Sequence, residues 1–120
     1  MAKPHHNLLV WKRALAFVTH IYRMTAQFPA EERFGLVSQM RRAAVSIPSN
    51  IAEGAARNTR KEFVNFLYIA QGSASELETQ LLICHELGFG DTDASSVLLK
   101  ELDEISKMIL GLQKSLNSAS

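Results

Sequence analysis

Apolar side chains recur at alternating steps of three and four residues along most of the chain, and this spacing constrains the fold more than any other feature. Only three prolines and six glycines interrupt it. Such steps place side chains on one face of an α-helix, and no useful stretch shows the strict alternation typical of a β-strand. The pattern therefore predicts an all-α protein.

The interruptions divide the chain into four predicted helices, at about 8–28, 35–56, 60–87 and 93–116. Helices of this length with short connections favour an antiparallel up-and-down four-helix bundle. At 120 residues, the chain is expected to form a single domain over 1–120.

Local signals support these boundaries. Pro48 falls inside the second helix, but the apolar pattern resumes in phase at Ile51, so the helix is expected to kink there rather than end. Thr59 and Glu62 have the spacing of a capping box at the start of the third helix. Gly88 is expected just beyond that helix, where a left-handed residue often ends it.

The first helix carries two apolar stripes where a bundle needs one. These are Leu8, Trp11, Leu15, Val18 and Tyr22 on one stripe, and Val10, Ala14, Phe17, Ile21, Met24 and Phe28 on the other. The third helix adds Phe66, Ile69, Ile83 and Leu87 beside its main row. Exposed contiguous apolar surface usually marks an interface, so the surplus favours a homo-oligomer. The alternative is a wide core face beneath long neighbouring helices.

Charge is divided between the two halves of the chain. Residues 1–61 carry ten basic and three acidic side chains, whereas residues 62–120 carry three basic and nine acidic. This separation suggests a polyanionic partner or contact between unlike surfaces. The candidate nucleic-acid contacts are Arg42, Arg57, Arg60, Lys61, Lys12 and Arg13; the alternative is that these cations are solvated or internally paired.

The aromatic residues limit the kind of nucleic-acid contact that can be expected. Trp11, Tyr22, Phe63 and Tyr68 lie at spacings typical of core positions, which leaves few rings to interleave with the basic side chains. Contact with the phosphate backbone, with little sequence readout, is therefore expected.

The segment between Gln39 and Glu78 is richer in polar and small residues than helix packing requires. Gly72 in the middle of a helix costs about 1 kcal/mol relative to alanine, which suggests close backbone approach. A buried polar network between the second and third helices is predicted from Arg41, Ser49, Asn50, Glu53 and Glu76. The alternative is a solvated polar face.

Enzyme motifs are scarce. There is no phosphate-binding Walker loop, no HExxH and no nucleophile elbow. Cys84 lies on a core row, and His5-His6 alone make no site, so no metal and no cofactor are predicted. Arg13 and His20 resemble the Arg…His pair of small helical RNases, in which the histidine serves as general acid and base. That leaves an RNase as the alternative to a non-enzymatic protein.

No apolar run is long enough to span a membrane, and nothing at the N-terminus suggests export. A cytoplasmic protein that does not bind membranes is therefore expected. A scaffold that binds only protein partners is the third functional class that the sequence leaves open.

Two motifs carry a family resemblance. The run from Arg41 to Gly54, RRAAVSIPSNIAEG, and the run from Gly72 to Leu77, GSASEL, resemble the bacterial four-helix-bundle proteins named for intervening sequences of 23S ribosomal RNA genes. The resemblance covers essentially the whole chain. It implies a homopentameric barrel, because members of the family form such assemblies. Similar proteins include the accessory variability determinant of diversity-generating retroelements. This similarity implies that the partner of the chain is RNA or DNA, or a protein such as a reverse transcriptase.

Overall fold

The computed structural model of the chain describes His5 and residues 8–118. Within these residues the chain forms four α-helices and a short 3₁₀ helix: α1 (Leu9–Thr25), the 3₁₀ helix (Ala30–Glu32), α2 (Leu36–Ala55), α3 (Arg60–Leu87) and α4 (Thr92–Ser118). Each α-helix packs against its neighbours in sequence, and α4 returns to α1, in a bundle of 48 × 26 × 20 Å. The predicted all-α four-helix bundle is confirmed.

The predicted helix signals appear in the structure. The backbone N–H of Glu62 donates to Thr59 Oγ1 at 3.1 Å, which caps α3. Gly88 ends the same helix with a φ of 74°, a left-handed conformation that glycine adopts without steric cost. Pro48 lies inside α2, which continues through it to Ala55.

The end of α1 differs from the sequence prediction. The helix ends at Thr25 rather than near Phe28, and the N–H of Phe28 bonds to the carbonyl of Thr25 in a tighter turn. This turn buries Phe28, whose ring centroid lies 5.5 Å from that of Phe89. The following Pro29 also disfavours a helical conformation at Phe28. The chain therefore leaves the helix early to place an aromatic ring in the end of the core.

The structure distinguishes the two stripes of α1. Val10, Ala14, Phe17 and Ile21 are buried. The other stripe is half-buried or exposed, with Leu15 and Tyr22 about two-fifths exposed (42% and 41%). The core consists mainly of large aliphatic side chains, and its largest fully buried members are Phe17, Ile21, Met40, Ile47, Ile51, Leu67, Leu77, Leu81, Leu102, Ile105 and Ile109. The apolar surplus predicted from the sequence therefore lies on the outer stripe.

Close backbone approach occurs at a different glycine from the one predicted. A Cβ on Gly54 of α2 would lie 2.8 Å from Cβ of Phe66 and 2.9 Å from Cδ1 of Phe63 on α3. Around Gly72 no atom of another helix lies within 4 Å of the corresponding position. The prediction for Gly72 is therefore wrong within one chain, because this residue faces outward.

Candidate nucleic-acid interface

The predicted cations fall at two ends of the bundle. Because neighbouring helices run antiparallel, the start of α1 lies at the same end as the connection from α2 to α3. Five of the six candidates belong to that end: Lys12, Arg13, Arg57, Arg60 and Lys61. Arg42, near the start of α2, lies towards the opposite end.

Arg13 is held by α4. Its guanidinium donates to Glu104 Oε2 at 2.6 Å, and its other terminal nitrogen lies 3.7 Å from the sulfur of Met108. The hydrogen bond and the positive charge of Arg13 lower the pKa of Glu104. Arg13 therefore links two helices of unlike charge, and phosphate would have to compete with a carboxylate for it.

Arg57 is partly neutralised within its own chain. It donates to Glu53 Oε1 at 2.8 Å, one helical turn earlier, and its guanidinium lies 4.8 Å from the ring centroid of Phe66. An exposed pair of this kind is worth little in stability, typically about 0.3–0.5 kcal/mol. Arg57 thus contributes a positive edge to this end of the bundle without a strong structural role.

Arg60 and Lys61 line an open cleft where α3 begins and α4 ends. The cleft has a volume of about 510 Å³, and its other walls are formed by Val64, Asn65, Tyr68, Leu116 and Asn117. Tyr68 is 52% exposed, so its interpretation as a core residue is wrong. The row that it occupies on α3 turns away from the core and towards the end of α4. Cations, amides and an aromatic ring thus share one concave surface.

The opposite end contains a second basic cluster. Arg41 donates to Thr25 Oγ1 at 2.9 Å and to the carbonyl of Tyr22 at 3.2 Å. Its guanidinium also lies 4.4 Å from the Tyr22 ring. These contacts join α2 to the last turn of α1, where the Tyr22 carbonyl also accepts from the N–H of Ala26 at 3.0 Å. Arg41 is therefore mainly structural.

Arg42 is exposed and shares a groove with Arg33 and Phe34. Phe34 is 89% exposed, and the Arg33 guanidinium lies 6.0 Å from its ring centroid. The sequence prediction missed both residues. The sequence feature that could have identified them is a large aromatic residue beside a glycine, outside any helical apolar row.

The predicted polar network is not formed as one unit in the chain. Arg41 bonds to α1, and Ser49 and Glu53 are exposed. Glu76 is also exposed and accepts from Gln80 Nε2 of the same helix at 3.3 Å. Carboxylates stay in water here because burial without full pairing is costly.

Of the five predicted residues, Asn50 takes part in a hydrogen-bonded contact between α2 and α3. Its amide donates to the carbonyl and hydroxyl of Ser46 at 2.8 and 2.9 Å, and Ser73 of α3 donates to the same hydroxyl at 2.8 Å. This contact is therefore made by neutral hydroxyls and one amide, without the three charged members of the predicted network.

The Arg13 and His20 pair proposed for RNA cleavage faces α4. His20 Nδ1 lies 3.2 Å from Glu101 Oε2, two turns along α1 from the Arg13–Glu104 pair. Both side chains are thus engaged by carboxylates, and a phosphate at this position would meet two negative groups. This arrangement does not favour the RNase.

Cys84 is packed rather than reactive. Its thiol is buried and donates to the sulfur of Met40 at 3.5 Å, and burial raises the pKa of this thiol to about 11.

In the part of the chain that the structure describes, no three His, Cys, Asp or Glu side chains are grouped so as to hold a metal ion. None of the described helices is both long and apolar enough to cross a membrane.

Two further exposed surfaces contain large apolar side chains. A groove of about 530 Å³ runs between α1 and α2, with Trp11, Leu15, Val18, Val45 and Pro48 in its walls. On α3, an outer row at steps of three and four residues contains Ile69, Gly72, Glu76, Thr79, Ile83 and Leu87, all exposed.

Comparison with known proteins identifies relatives of the chain. The family model of 23S rRNA-intervening sequence proteins matches residues 6–111. A solved structure of a protein with unknown function, from the S23 ribosomal protein family of Bacteroides thetaiotaomicron VPI-5482, is similar with a TM-score of 0.82 and 25% sequence identity. That alignment covers 88% of this chain and 96% of the other. Among curated proteins, none matches the chain significantly.

Proposed function

The chain belongs to the family of 23S rRNA-intervening sequence proteins, as its motifs predicted, and we propose that it is a homo-oligomeric adaptor that binds nucleic acid without catalysing a reaction. The observation that carries this proposal is the open cleft lined by Arg60 and Lys61. The homopentamer is the assembly that the family resemblance implies.

The charge at this end of the bundle suits a phosphate backbone. Lys12 and Lys61 are exposed, and neither forms an ion pair among the described residues. The cleft also adjoins the first turn of α3, where the helix dipole favours anions. Each protomer offers only a few phosphate contacts, but affinity rises with the number of phosphates neutralised. An oligomer that repeats this surface would therefore bind polyanions much more tightly than one chain.

The uncovered apolar surfaces support self-association. The groove between α1 and α2 belongs to the basic half of the chain, with Arg42 near one end. The outer row of α3 belongs to the acidic half and contains Glu76. Contact between these unlike surfaces would bury apolar side chains and pair opposite charges. An interface between two different surfaces of the same chain generates a ring when its rotation closes.

Binding of nucleic acid can be tested by retention of labelled RNA and DNA as salt is raised from about 50 to about 200 mM. The double variant Arg60→Gln/Lys61→Gln should weaken retention and flatten the salt dependence. Arg23→Gln/Lys100→Gln removes the same charge from exposed positions at the other end of the bundle and should have a smaller effect. Absence of salt-sensitive retention in the native protein, or equal losses in both variants, would contradict the proposal.

The same incubation tests catalysis. RNA should be recovered intact after binding. Cleavage by the native protein that is lost in His20→Ala would overturn the non-catalytic assignment and favour the RNase.

Self-association can be tested by analytical ultracentrifugation. The native chain should sediment as an oligomer at micromolar concentration, and Ile83→Glu in the outer row of α3 should shift it towards monomer. Val97→Glu places the same charge on an exposed apolar residue of α4 and should leave the assembly intact. A native chain that sediments cleanly as a monomer would contradict the proposed self-association.

A further inference from the structure

The cleft at the start of α3 combines three kinds of group on one helical face. Lys61, Asn65 and Tyr68 follow each other at steps of four and three residues, so their side chains lie in one row along α3. Lys61 and Tyr68 are about 10 Å apart along the axis, given the rise of 1.5 Å per residue. Asn117 of α4 adds a second amide to the opposite wall. The row thus leads from a positive charge, past hydrogen-bonding groups, to an aromatic ring.

We propose that Tyr68 is a stacking platform for an unpaired base, so that the cleft takes single-stranded rather than double-stranded nucleic acid. This inference rests on the proposed function and narrows its ligand. Lys61 and Arg60 contact the phosphates of the strand, and the ring of Tyr68 receives the face of a base. Asn65 and Asn117 offer amide donors and acceptors to its edge.

The exposure of the ring supports this role. Tyr68 is 52% exposed, although a helix of a bundle normally turns its aromatic rings to the core. Single-strand binding sites combine a positive groove with aromatic side chains on which bases stack. In a duplex the bases are already stacked and their faces are inaccessible, so a protein ring beside the phosphates gains nothing from them. The cleft volume of about 510 Å³ also lies within the usual range of sites for small ligands.

The platform and the far end of the proposed subunit contact are separated along α3. Tyr68 shares the cleft with Leu116 and Asn117 of α4. The outer row of α3 continues along the same side of the helix, since Gly72 lies one turn beyond Tyr68. Ile83 lies about 22 Å beyond Tyr68 along the axis, given the rise of 1.5 Å per residue. A subunit contact centred on Ile83 and Leu87 would therefore leave the cleft at the start of α3 open.

The test uses the full-length protein and short labelled oligonucleotides, each supplied as a single strand and as a duplex, in RNA and DNA forms. Fluorescence anisotropy should show that single strands bind more tightly than duplexes of the same sequence. Tyr68→Leu should weaken single-strand binding by about 5- to 150-fold, since one stacked base is worth about 1–3 kcal/mol. Tyr68→Phe should retain binding, because it keeps the ring. Comparison of the RNA and DNA arms shows which sugar is accepted.

Two controls separate stacking from charge and from folding. Tyr68→Leu removes no charge, so the slope of affinity against salt should stay as in the native protein, whereas Lys61→Gln should lower it. Val97→Ala removes an exposed apolar side chain near the start of α4, at the other end of the bundle, and should leave binding unchanged. In Tyr68→Trp, bound single strands should quench the added fluorescence above the background of Trp11.

The outcomes distinguish the two proposals. If the native protein binds single strands in a salt-dependent way but Tyr68→Leu binds them equally well, or if duplexes bind as tightly as single strands, the stacking role is overturned and phosphate binding stands. If the native protein binds neither strand form at low salt, the proposed function fails, and the stacking role fails with it.

Discussion

Replacement of Gly54 by alanine tests the packing of α2 against α3 with a single methyl group. Gly54 is buried, and the added Cβ would lie 2.8 Å from Cβ of Phe66, 2.9 Å from Cδ1 of Phe63 and 3.2 Å from the carbonyl oxygen of Phe63. Ordinary carbon contacts lie at about 3.5–4.0 Å. The two helices must therefore separate by about 1 Å to accept the methyl group.

Two opposing contributions determine the change in the free energy of unfolding. Alanine favours the helix over glycine by about 1 kcal/mol. Overpacking of a well-packed core costs about 1–3 kcal/mol. Because Cβ of Phe66 is attached directly to the backbone, it cannot rotate away, and the upper part of this range applies. The expected net result for Gly54→Ala is a loss of about 1–2 kcal/mol.

Urea unfolding measures this loss, with all variants at one protomer concentration because self-association adds concentration-dependent stability. Gly111→Ala in α4 is the matched control, since no atom of another helix lies within 4 Å of the added Cβ. It should raise the free energy of unfolding by up to about 1 kcal/mol. If Gly54→Ala is as stable as the native protein or more so, the close approach of α2 and α3 does not constrain the fold as argued.

Three further predictions follow from individual contacts. Thr59→Ala should lower the free energy of unfolding by about 1 kcal/mol, because the N–H of Glu62 loses its cap, and Thr59→Ser should restore most of it. The Cys84 thiol, whose pKa burial raises to about 11, should resist a thiol reagent at neutral pH until urea unfolds the chain; rapid labelling of the native protein would contradict its burial. Because the pKa is raised, burial of the neutral Cys84 thiol stabilises the fold fully below the ordinary pKa of 9.0. This stabilisation is lost as pH rises towards about 11. The lowered pKa of Glu104 works in the other direction: its pairing with Arg13 stabilises the fold above the ordinary value of 4.5 and is lost as pH falls through the lowered one, so Glu104→Gln should flatten that part of an acid unfolding curve.

The architecture was predictable because it depends on local rules. The spacing of apolar residues defined four helices, and the capping box at Thr59 and the left-handed Gly88 marked the ends of α3. The spacing could not determine which stripe of α1 faces inward, because both stripes obey the same helical period. Contacts with α2 and α4 decide this, and they bury the stripe containing Phe17 and Ile21.

The same limit explains the misplaced glycine. Glycine is an equally poor helix former at positions 54 and 72, so the sequence alone gave no reason to prefer either as the site where two helices approach closely. The difference arises only when α3 docks on α2 and brings Phe63 and Phe66 over Gly54. Gly72 then faces outward in the row proposed for contact with another copy.

The candidate site was partly predictable for a related reason. Basic residues near a helix connection are exposed by default, so Arg60 and Lys61 could be identified from sequence. Tyr68 could not, because its spacing fits a core row as well as an outer one, and only the position of α4 relative to α3 turns its ring into the cleft.

The division of charge between the two halves of the chain is better understood at the level of helix neighbours. In the bundle each basic helix lies beside an acidic one, since α1 packs against α4 and α2 against α3. Arg13–Glu104 is an ion pair of this kind between α1 and α4, where His20 also contacts Glu101. Arg57, just beyond the end of α2, pairs with Glu53 of that helix. Internal pairing therefore accounts for part of the asymmetry. It does not account for Lys61, which is exposed at the cleft, and for this reason the cleft, rather than net charge, is the feature on which nucleic-acid binding should be tested.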